Sequence, residues 1–202
     1  MIDTVHVAQM KAYSEAAKSG LYAKQSGLVG KYDNVRRLWE DEITRLFLHP
    51  HLNRLIEYKS ARMQRVRVLD LGCGSADGYE LLTGVRHRDA DLRDYEVALL
   101  TPDILGEYRG VDLNGDLLDQ ARTIYGHNPK LSFHQGNFAD GLPLDENERP
   151  FDLYFSSYGT CSHHNEDETL IRLLADIARR TDEYAVIVCD WLGRYSYEWQ
   201  TL

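Results

Sequence analysis

The segment Val66 to Gly78 constrains the fold of this chain more than any other. It begins with an apolar run, Val66–Leu71, passes through a turn that contains Gly72 and Gly74, and then opens a helix. A strand followed by a glycine turn and a helix is typical of open α/β sheets, which bind small molecules outside the carboxyl ends of their strands. Glycine allows the backbone to turn sharply and to approach a ligand, because no Cβ stands in the way.

The charges around this turn indicate which ligand suits it. A dinucleotide loop with the pattern G-x-G-x-x-G would place its third glycine at position 77, but this residue is Asp77. Asp70 adds a second carboxylate just before the turn. Two carboxylates repel a pyrophosphate, which disfavours a nicotinamide-dependent dehydrogenase, and they suit a ligand with cationic groups. For this segment alone, a strand, turn and helix without any ligand remains an alternative.

The run Leu69-Asp70-Leu71-Gly72-Cys73-Gly74 resembles the first motif of the class I S-adenosylmethionine (SAM)-dependent methyltransferases. SAM carries an ammonium and a sulfonium and no phosphate. The resemblance covers residues 66–190 and implies SAM as cofactor and S-adenosylhomocysteine as product. It also implies that the glycine turn shapes the methionine side of the site and that Asp70 holds the ammonium.

Length, charge and hydropathy limit the other functions. The 202 residues suffice for one domain, or for one domain with an appendage. The net charge of −9 argues against a nucleic-acid partner, which requires a basic face. The richest basic run, Lys59, Arg62, Arg65 and Arg67, is interpreted as a solvated helix end and strand entrance. No apolar run approaches the roughly 20 residues that cross a bilayer, so we expect no membrane segment. A small-molecule substrate is favoured, and a homodimer is left open.

The three cysteines are odd in number and far apart in the sequence. They predict neither a disulfide framework nor a metal site. We therefore expect a reducing, cytoplasmic environment.

Hydrophobic periodicity predicts an α/β chain with a parallel, Rossmann-like sheet. Residues 1–64 are predicted to form an N-terminal helical lid, with one helix that starts near Val35 and is closed by Pro50, and a further apolar stripe that reaches Met63. Residues 65–202 are predicted to form the SAM-binding core, with an insertion of undefined structure at about 85–105. The predicted strands are Val66–Leu71, Tyr108–Leu113, Leu131–Gln135, Phe151–Ser157 and Tyr184–Cys189. Helices are predicted around Gly78–Leu82, after the second strand with Leu117, Leu118, Ala121, Ile124 and Tyr125 on one face, and from about Asn165 to Arg180.

Residues at the other strand ends complete the predicted cofactor site. Asp112 ends the second strand, where a carboxylate can accept both ribose hydroxyls of an adenosine. On the resemblance, Asn137 replaces an acidic residue that takes the adenine amino group, and Phe138 packs on the base. An amide oxygen still accepts from that amino group. The residues expected to line the cofactor site are Asp70, Gly72, Cys73, Gly74, Asp77, Asp112, Leu113, Asn137, Phe138, Ser156 and Tyr32.

His163 and His164 are the candidates for a general base, because an unperturbed imidazole titrates near neutral pH. For each of them singly, an exposed loop residue before a helix is the favoured interpretation over catalysis. No metal is expected, since Cys161 and the two histidines lie too close together in sequence for a usual tetrahedral set.

The chain departs from the family pattern after its fifth predicted strand. Only residues 190–202 follow, which is too short for the helix and the antiparallel strand pair of the family, so we expect a fragment of a longer protein. The function that the sequence predicts is a SAM-dependent methyltransferase acting on an O, N or C atom of a small-molecule acceptor. The alternative is a SAM-binding module or subunit without turnover of its own.

Overall fold

The computed structural model describes residues 4–19, 35–87, 97–138, 141–163, 167–181 and 184–191. The helices are α1 (Thr4–Lys18), α2 (Val35–Ser60), α3 (Asp77–Thr83), α4 (Gly115–Tyr125) and α5 (Asp167–Arg180). The strands are β1 (Val66–Leu71), β2 (Leu105–Asp112), β3 (Leu131–Gln135), β4 (Leu153–Ser156) and β5 (Val186–Cys189). A short 3-10 helix, Thr160–His163, follows β4. None of the described helices is both long and apolar enough to cross a bilayer.

The strands form one parallel sheet in the order β3-β2-β1-β4-β5. The chain moves outwards from β1 through β2 to β3, and then returns to the other side of β1 to add β4. The order therefore reverses between β1 and β4, and open α/β sheets bind ligands at this point, outside the carboxyl ends of the strands. The predicted Rossmann-like α/β class is confirmed.

Both faces of the sheet are covered by apolar side chains. On one face, Val66 and Val68 of β1 pack with α2, α3 and α4. On the other face, Leu69 and Leu71 pack with Leu173 of α5 and its neighbours. Burial on both faces explains why β1 is a nearly continuous apolar run, as is usual in parallel sheets.

The predicted strand bounds are correct for β1 and β3. Strand β2 begins three residues before the predicted Tyr108, at Leu105, while β4 and β5 are shorter than predicted at their starts. Within the insertion predicted at 85–105, Arg86 and Ala98 form an antiparallel bridge, and Leu99 and Leu100 are buried in the core. The described ends of the insertion thus pair with each other, while residues 88–96 lie outside the described ranges.

Helix α2 does not end at Pro50, which corrects the prediction. The helix continues to Ser60, with Pro50 inside it. Proline removes one helical hydrogen bond, but packing of the following turns outweighs this local cost. Leu52, Leu55 and Ile56 after the proline are all buried in the core with β1. The second half of α2 is thus part of the main core.

Helix α2 ends in a Schellman motif at Met63. Gln64 N–H donates to the Lys59 carbonyl, and Met63 N–H donates to the Ser60 carbonyl, each at 2.9 Å. Met63 takes the left-handed position, with φ of 54°, that glycine usually occupies. Its side chain is 98% exposed, so the prediction that Met63 belongs to an apolar stripe is wrong.

Lys59 and Arg67 are not solvated, contrary to the interpretation of the basic run. Lys59 Nζ lies 2.6 Å from Asp152 Oδ1, and their side chains are only 8% and 10% exposed. The other oxygen of Asp152 accepts from the Arg67 backbone N–H at 2.8 Å. Arg67 itself pairs with Glu107 and stacks over the ring of Phe151. These buried pairs connect α2, β1 and the start of β4.

We predict that Met63→Gly increases the free energy of unfolding by about 0.5–1 kcal/mol. A residue with a Cβ costs roughly 1–2 kcal/mol in the left-handed conformation, and glycine avoids this cost. Part of the gain is lost because glycine increases the conformational entropy of the unfolded chain. Urea unfolding measures the effect. Met63→Ala is the matched control because it retains the Cβ. Equal stability of the glycine and alanine variants would contradict the left-handed conformation of residue 63.

We predict that Lys59→Met destabilises the chain by about 3–5 kcal/mol, because it leaves the Asp152 carboxylate buried without its cation. The matched control is Lys18→Met. Lys18 pairs with Asp116 at 3.3 Å, but the two side chains are 69% and 38% exposed, so its loss should cost less than about 1 kcal/mol. Urea unfolding of both variants tests the contrast, and similar losses would disprove it.

Candidate functional site

The glycine turn after β1 is held against the end of β2. The backbone N–H groups of Gly72 and Cys73 both donate to the Val111 carbonyl, at 2.8 and 3.1 Å. Gly72, Gly74 and Ala76 have φ values of 78°, 53° and 70°, so every second residue of the turn is left-handed. Glycine fits the first two positions without strain. Ala76 occupies the third, a position that the sequence did not reveal because no glycine marks it.

Gly72 also lies directly beneath the loop that follows β4. A Cβ at this position would overlap Cγ2 and Oγ1 of Thr160, the first residue of the 3-10 helix. The carboxyl ends of β1 and β4 therefore approach each other closely at the reversal of strand order. Only glycine permits this approach together with the left-handed backbone.

Asp112 projects from the end of β2 toward the turn. Its Oδ2 accepts from Gly74 N–H and its Oδ1 accepts from Asn114 N–H, both at 2.8 Å. Burial raises the pKa of Asp112 above its ordinary value, although backbone hydrogen bonds oppose this by favouring the ionised form. Asn114, and not Asp112, caps helix α4, because its side chain accepts from the N–H groups of Asp116 and Leu117. The Asp112 carboxylate is thus a half-buried acceptor with remaining lone-pair capacity.

Asp70 lies behind the turn and has no exposed surface. The Tyr108 hydroxyl donates to its Oδ2, and its Oδ1 has no hydrogen-bond partner within the described residues. Burial raises the pKa of Asp70 to about 7 despite the hydrogen bond from Tyr108. A Cβ on Gly78 of α3 would overlap Oδ2, so the helix packs directly on this carboxyl group.

The other predicted residues of the turn point inward. Cys73 is 3% exposed, and its Sγ lies 2.6 Å from the position that a Cβ on Gly110 would occupy. Burial raises the pKa of the Cys73 thiol well above its usual range. Asp77 is 7% exposed in the first turn of α3, with the Ser75 hydroxyl 3.5 Å from both of its carboxylate oxygens.

The predicted adenine residues follow β3 at the same edge of the sheet. Gly136 N–H donates to the Asp112 backbone carbonyl at 3.0 Å, which places the start of this loop beside the end of β2. Asn137 is exposed, whereas Phe138 is half-buried against the core on the α5 side. Leu113 is half-buried, and its carbonyl accepts from the Gln135 side chain at 2.9 Å. These side chains share one edge of the sheet with the glycine turn.

At the end of β4, Ser156 is 3% exposed, so its side chain belongs to the interior. His163 is half-buried, with Nε2 3.3 Å from the Tyr13 hydroxyl of α1. The two rings meet edge to face, with centroids 6.0 Å apart. The sequence did not predict Tyr13 as a neighbour of His163, because 150 residues separate them.

Helix α1 lies along α4 beside this edge. Asn114 Nδ2 donates to Ser14 Oγ at 3.1 Å, and Gln120 Nε2 donates to the Ala17 carbonyl at 2.9 Å. Tyr158, in the loop after β4, donates to Asp41 of α2 at 2.9 Å. The two N-terminal helices therefore both contact loops at the carboxyl edge.

Two predicted site residues, Tyr32 and His164, lie outside the described residues. Within the described ranges, no three His, Cys, Asp or Glu side chains cluster closely enough to hold a metal ion. A groove of about 580 Å³ lies at the opposite, amino edge of the sheet, lined in part by Arg65, Arg67 and Arg149. It contains none of the predicted site residues, and the strand reversal places the candidate site at the carboxyl edge.

Several solved structures are similar to this chain. The complex of DhpI with S-adenosylhomocysteine superposes with a TM-score of 0.54 at 15% identity, covering 90% of this chain and 66% of that chain. CalS10 with SAM bound, an amino pentose methyltransferase from Micromonospora echinaspora, gives 0.46 at 16% identity, covering 84% and 59%. DesVI from Streptomyces venezuelae gives 0.45 at 18% identity, covering 76% and 57%.

The resemblance to class I SAM-dependent methyltransferases is thus confirmed at the level of the fold. The chain spans 57–66% of the length of these three neighbours and 46% and 42% of the length of two further ones. No protein-family profile matches the chain, and no curated protein matches its sequence.

The raised pKa of Asp70 predicts an unusual pH dependence of stability. Between about pH 4 and 7, Asp70 is protonated in the folded chain and ionised in the unfolded chain. The unfolded state therefore binds fewer protons than the folded state. Because of this difference, Asp70 lowers the free energy of unfolding as pH rises. Asp70→Asn removes this contribution. The free energy of unfolding of the variant minus that of the wild type should therefore increase from pH 4 to 7, by at most about 1.4 kcal/mol per pH unit.

Urea unfolding at a series of pH values measures this difference. Asp119→Asn is the control, because Asp119 is 75% exposed on α4. A difference between Asp70→Asn and wild type that does not change with pH would contradict the buried, protonated carboxyl group.

Proposed function

We propose that this chain binds SAM at the carboxyl edge of the sheet and transfers its methyl group to a small-molecule acceptor. The observation that carries the proposal is the position of Asp112 at the end of β2. Its carboxylate reaches across to the N–H of Gly74 in the turn after β1 and leaves acceptor capacity on both oxygens. A pair of adjacent hydroxyl donors, such as those of a ribose, matches this acceptor.

The chemistry of the surrounding residues fits the rest of the cofactor. Asp70 and Asp77 place two carboxyl groups around the turn, which suits an ammonium and a sulfonium better than a phosphate. Asp70 has no exposed surface, so we propose that it does not contact the cofactor directly. It would act on the ammonium group through the glycine turn or through a water molecule. Gly72, Gly74 and the Cys73 backbone would shape the methionine side.

The loop after β3 would hold the adenine. The side-chain amide of Asn137 is exposed and can accept a hydrogen bond from the amino group of the base. The side chains of Phe138 and Leu113 are half-buried and would offer apolar surface to the faces of the base. The backbone of Ser156 would border the methyl group from the end of β4, since its side chain is buried. Tyr32 is proposed to cover the cofactor, on the sequence resemblance alone.

SAM supplies an electrophilic methyl group on a sulfonium, and the contribution of the protein is mainly proximity and orientation. His163 is the proposed general base where the acceptor must lose a proton, with His164 as a second candidate from the sequence. The Tyr13 hydroxyl at 3.3 Å would orient the imidazole of His163. A cytoplasmic location and a small-molecule partner are part of the same proposal.

A SAM-binding module without turnover is the second candidate. One observation at the edge of the sheet favours it. In the described residues, β5 pairs only with β4, and Ile187 is 42% exposed. Binding of S-adenosylhomocysteine without methyl transfer to small-molecule amines, hydroxyls or activated carbons would support this candidate.

Calorimetric titration with S-adenosylhomocysteine and with its 2′-deoxy analogue tests the cofactor site. We expect micromolar binding of the first ligand and a loss of roughly 10- to 100-fold for the analogue, because a hydrogen bond to a charged group contributes about 1.5–3 kcal/mol. Asp112→Asn should weaken binding of S-adenosylhomocysteine and reduce the discrimination between the two ligands.

Asp119→Asn is the matched control, an exposed carboxylate on α4 whose loss should leave both affinities unchanged. Circular dichroism confirms that each variant is folded, which is needed since Asp112 also holds two backbone N–H groups. A folded wild-type chain that binds neither ligand, or an Asp112→Asn variant that still discriminates fully, would refute the assignment.

A further inference from the structure

Two of the three cysteines, Cys161 and Cys189, meet at the ends of β4 and β5 although they are far apart in the sequence. Cys189 is the register partner of Ser156. The 3-10 helix after β4 brings Cys161 back over the same strand end, with its Sγ 3.4 Å from Ser156 Oγ. Cys161 and Cys189 therefore both lie next to Ser156, and neither is in a disulfide.

The two thiols differ in acidity because they lie close together. Interaction with the Cys189 thiol and with the neighbouring Ser156 hydroxyl lowers the pKa of Cys161 below its usual range. The same interaction raises the pKa of Cys189, which retains its proton. The pair therefore combines a nucleophilic sulfur with an adjacent second sulfur, as in resolving-cysteine pairs of redox sensors.

Access to the pair favours a small oxidant. Cys161 is 4% exposed, whereas Cys189 is half-buried on the edge strand. A peroxide is small enough to reach Cys161 after slight movement of the 3-10 helix, while a bulky disulfide such as oxidised glutathione is not. Cys73 provides an internal comparison, because it is buried, its pKa is raised, and it has no thiol partner among the described residues.

We propose that Cys161 and Cys189 form a peroxide-sensitive dithiol that closes to an intramolecular disulfide. The Cys161 thiolate attacks one oxygen of hydrogen peroxide, the O–O bond breaks, and hydroxide leaves, which produces a sulfenic acid. The Cys189 sulfur then attacks the Cys161 sulfur, and the S–O bond breaks. The hydroxyl leaves as water with the Cys189 proton. Both thiols are oxidised by two electrons in total, and the peroxide is reduced to water.

The disulfide would tie the 3-10 helix Thr160–His163 to the edge strand β5. This helix carries Thr160, which lies directly over Gly72, and His163, which contacts Tyr13. Oxidation would therefore restrain the loop at the rim of the carboxyl edge. The chemical step itself needs no bound cofactor, so its test is independent of the proposed function.

The test is peroxide treatment of the full chain, followed by alkylation and non-reducing peptide mapping. We expect a Cys161–Cys189 cross-linked peptide that dithiothreitol reverses, and oxidation of Cys161 at least about tenfold faster than that of Cys73. In Cys189→Ser, the reaction should stop at the sulfenic acid of Cys161, which dimedone traps. Cys73→Ser should form the disulfide as the wild type does.

Three results would overturn the proposal. In the first, Cys161 and Cys189 remain as reduced as Cys73 in a chain with native circular dichroism. In the second, the disulfide forms only between separate molecules. In the third, dimedone traps equal amounts of sulfenic acid in the wild type and in Cys189→Ser. Cys189→Ala serves as the second variant if the serine variant does not fold. Oxidised glutathione in place of peroxide should produce at least about tenfold less disulfide, since access and not only thiolate character controls the first step.

Discussion

The hydrogen bonds of Asp112 are the constraint on which the carboxyl edge of this sheet depends. One side-chain oxygen holds the turn after β1, the other holds the start of α4, and the backbone carbonyl holds the loop after β3. Three strand ends are thereby fixed relative to one another by a single residue. Asn114 extends the arrangement, because its side chain caps α4 and also contacts Ser14 of α1. The geometry of the candidate site is thus preorganised by short-range polar contacts on a rigid sheet.

Much of this fold could be predicted from the sequence because its core strands are local patterns. Strands buried on both faces are short apolar runs, and the bounds of β1 and β3 follow from them directly. The end of α2 could not be predicted, since the usual breaker, Pro50, is overruled by tertiary packing of Leu52 and Leu55. Met63 was misassigned because its apolar side chain indicates a buried helical residue, whereas its backbone takes the left-handed conformation that ends the helix.

Some features of the candidate site could likewise be predicted from the sequence and others could not. Asp112 was predictable because it ends a strand next to a strand that carries a glycine turn, and parallel strands end at one edge. The proximity of Tyr13 to His163, of Thr160 to Gly72 and of Cys161 to the end of β5 was not, because each pair joins segments that only the packing of whole elements brings together. The left-handed Ala76 also escaped prediction, since L-residues seldom adopt that conformation and nothing in its side chain signals it.

Helix α2 has a mechanical property that follows from Pro50. Its second half is embedded in the core, while its first half carries Asp41, which receives the Tyr158 hydroxyl from the loop after β4. Proline supplies no N–H, so the Leu46 carbonyl lacks its helical donor and the bending stiffness of the helix is lowest at this point. A bend at this turn would move the segment that contacts Tyr158 relative to the segment that is anchored against the sheet.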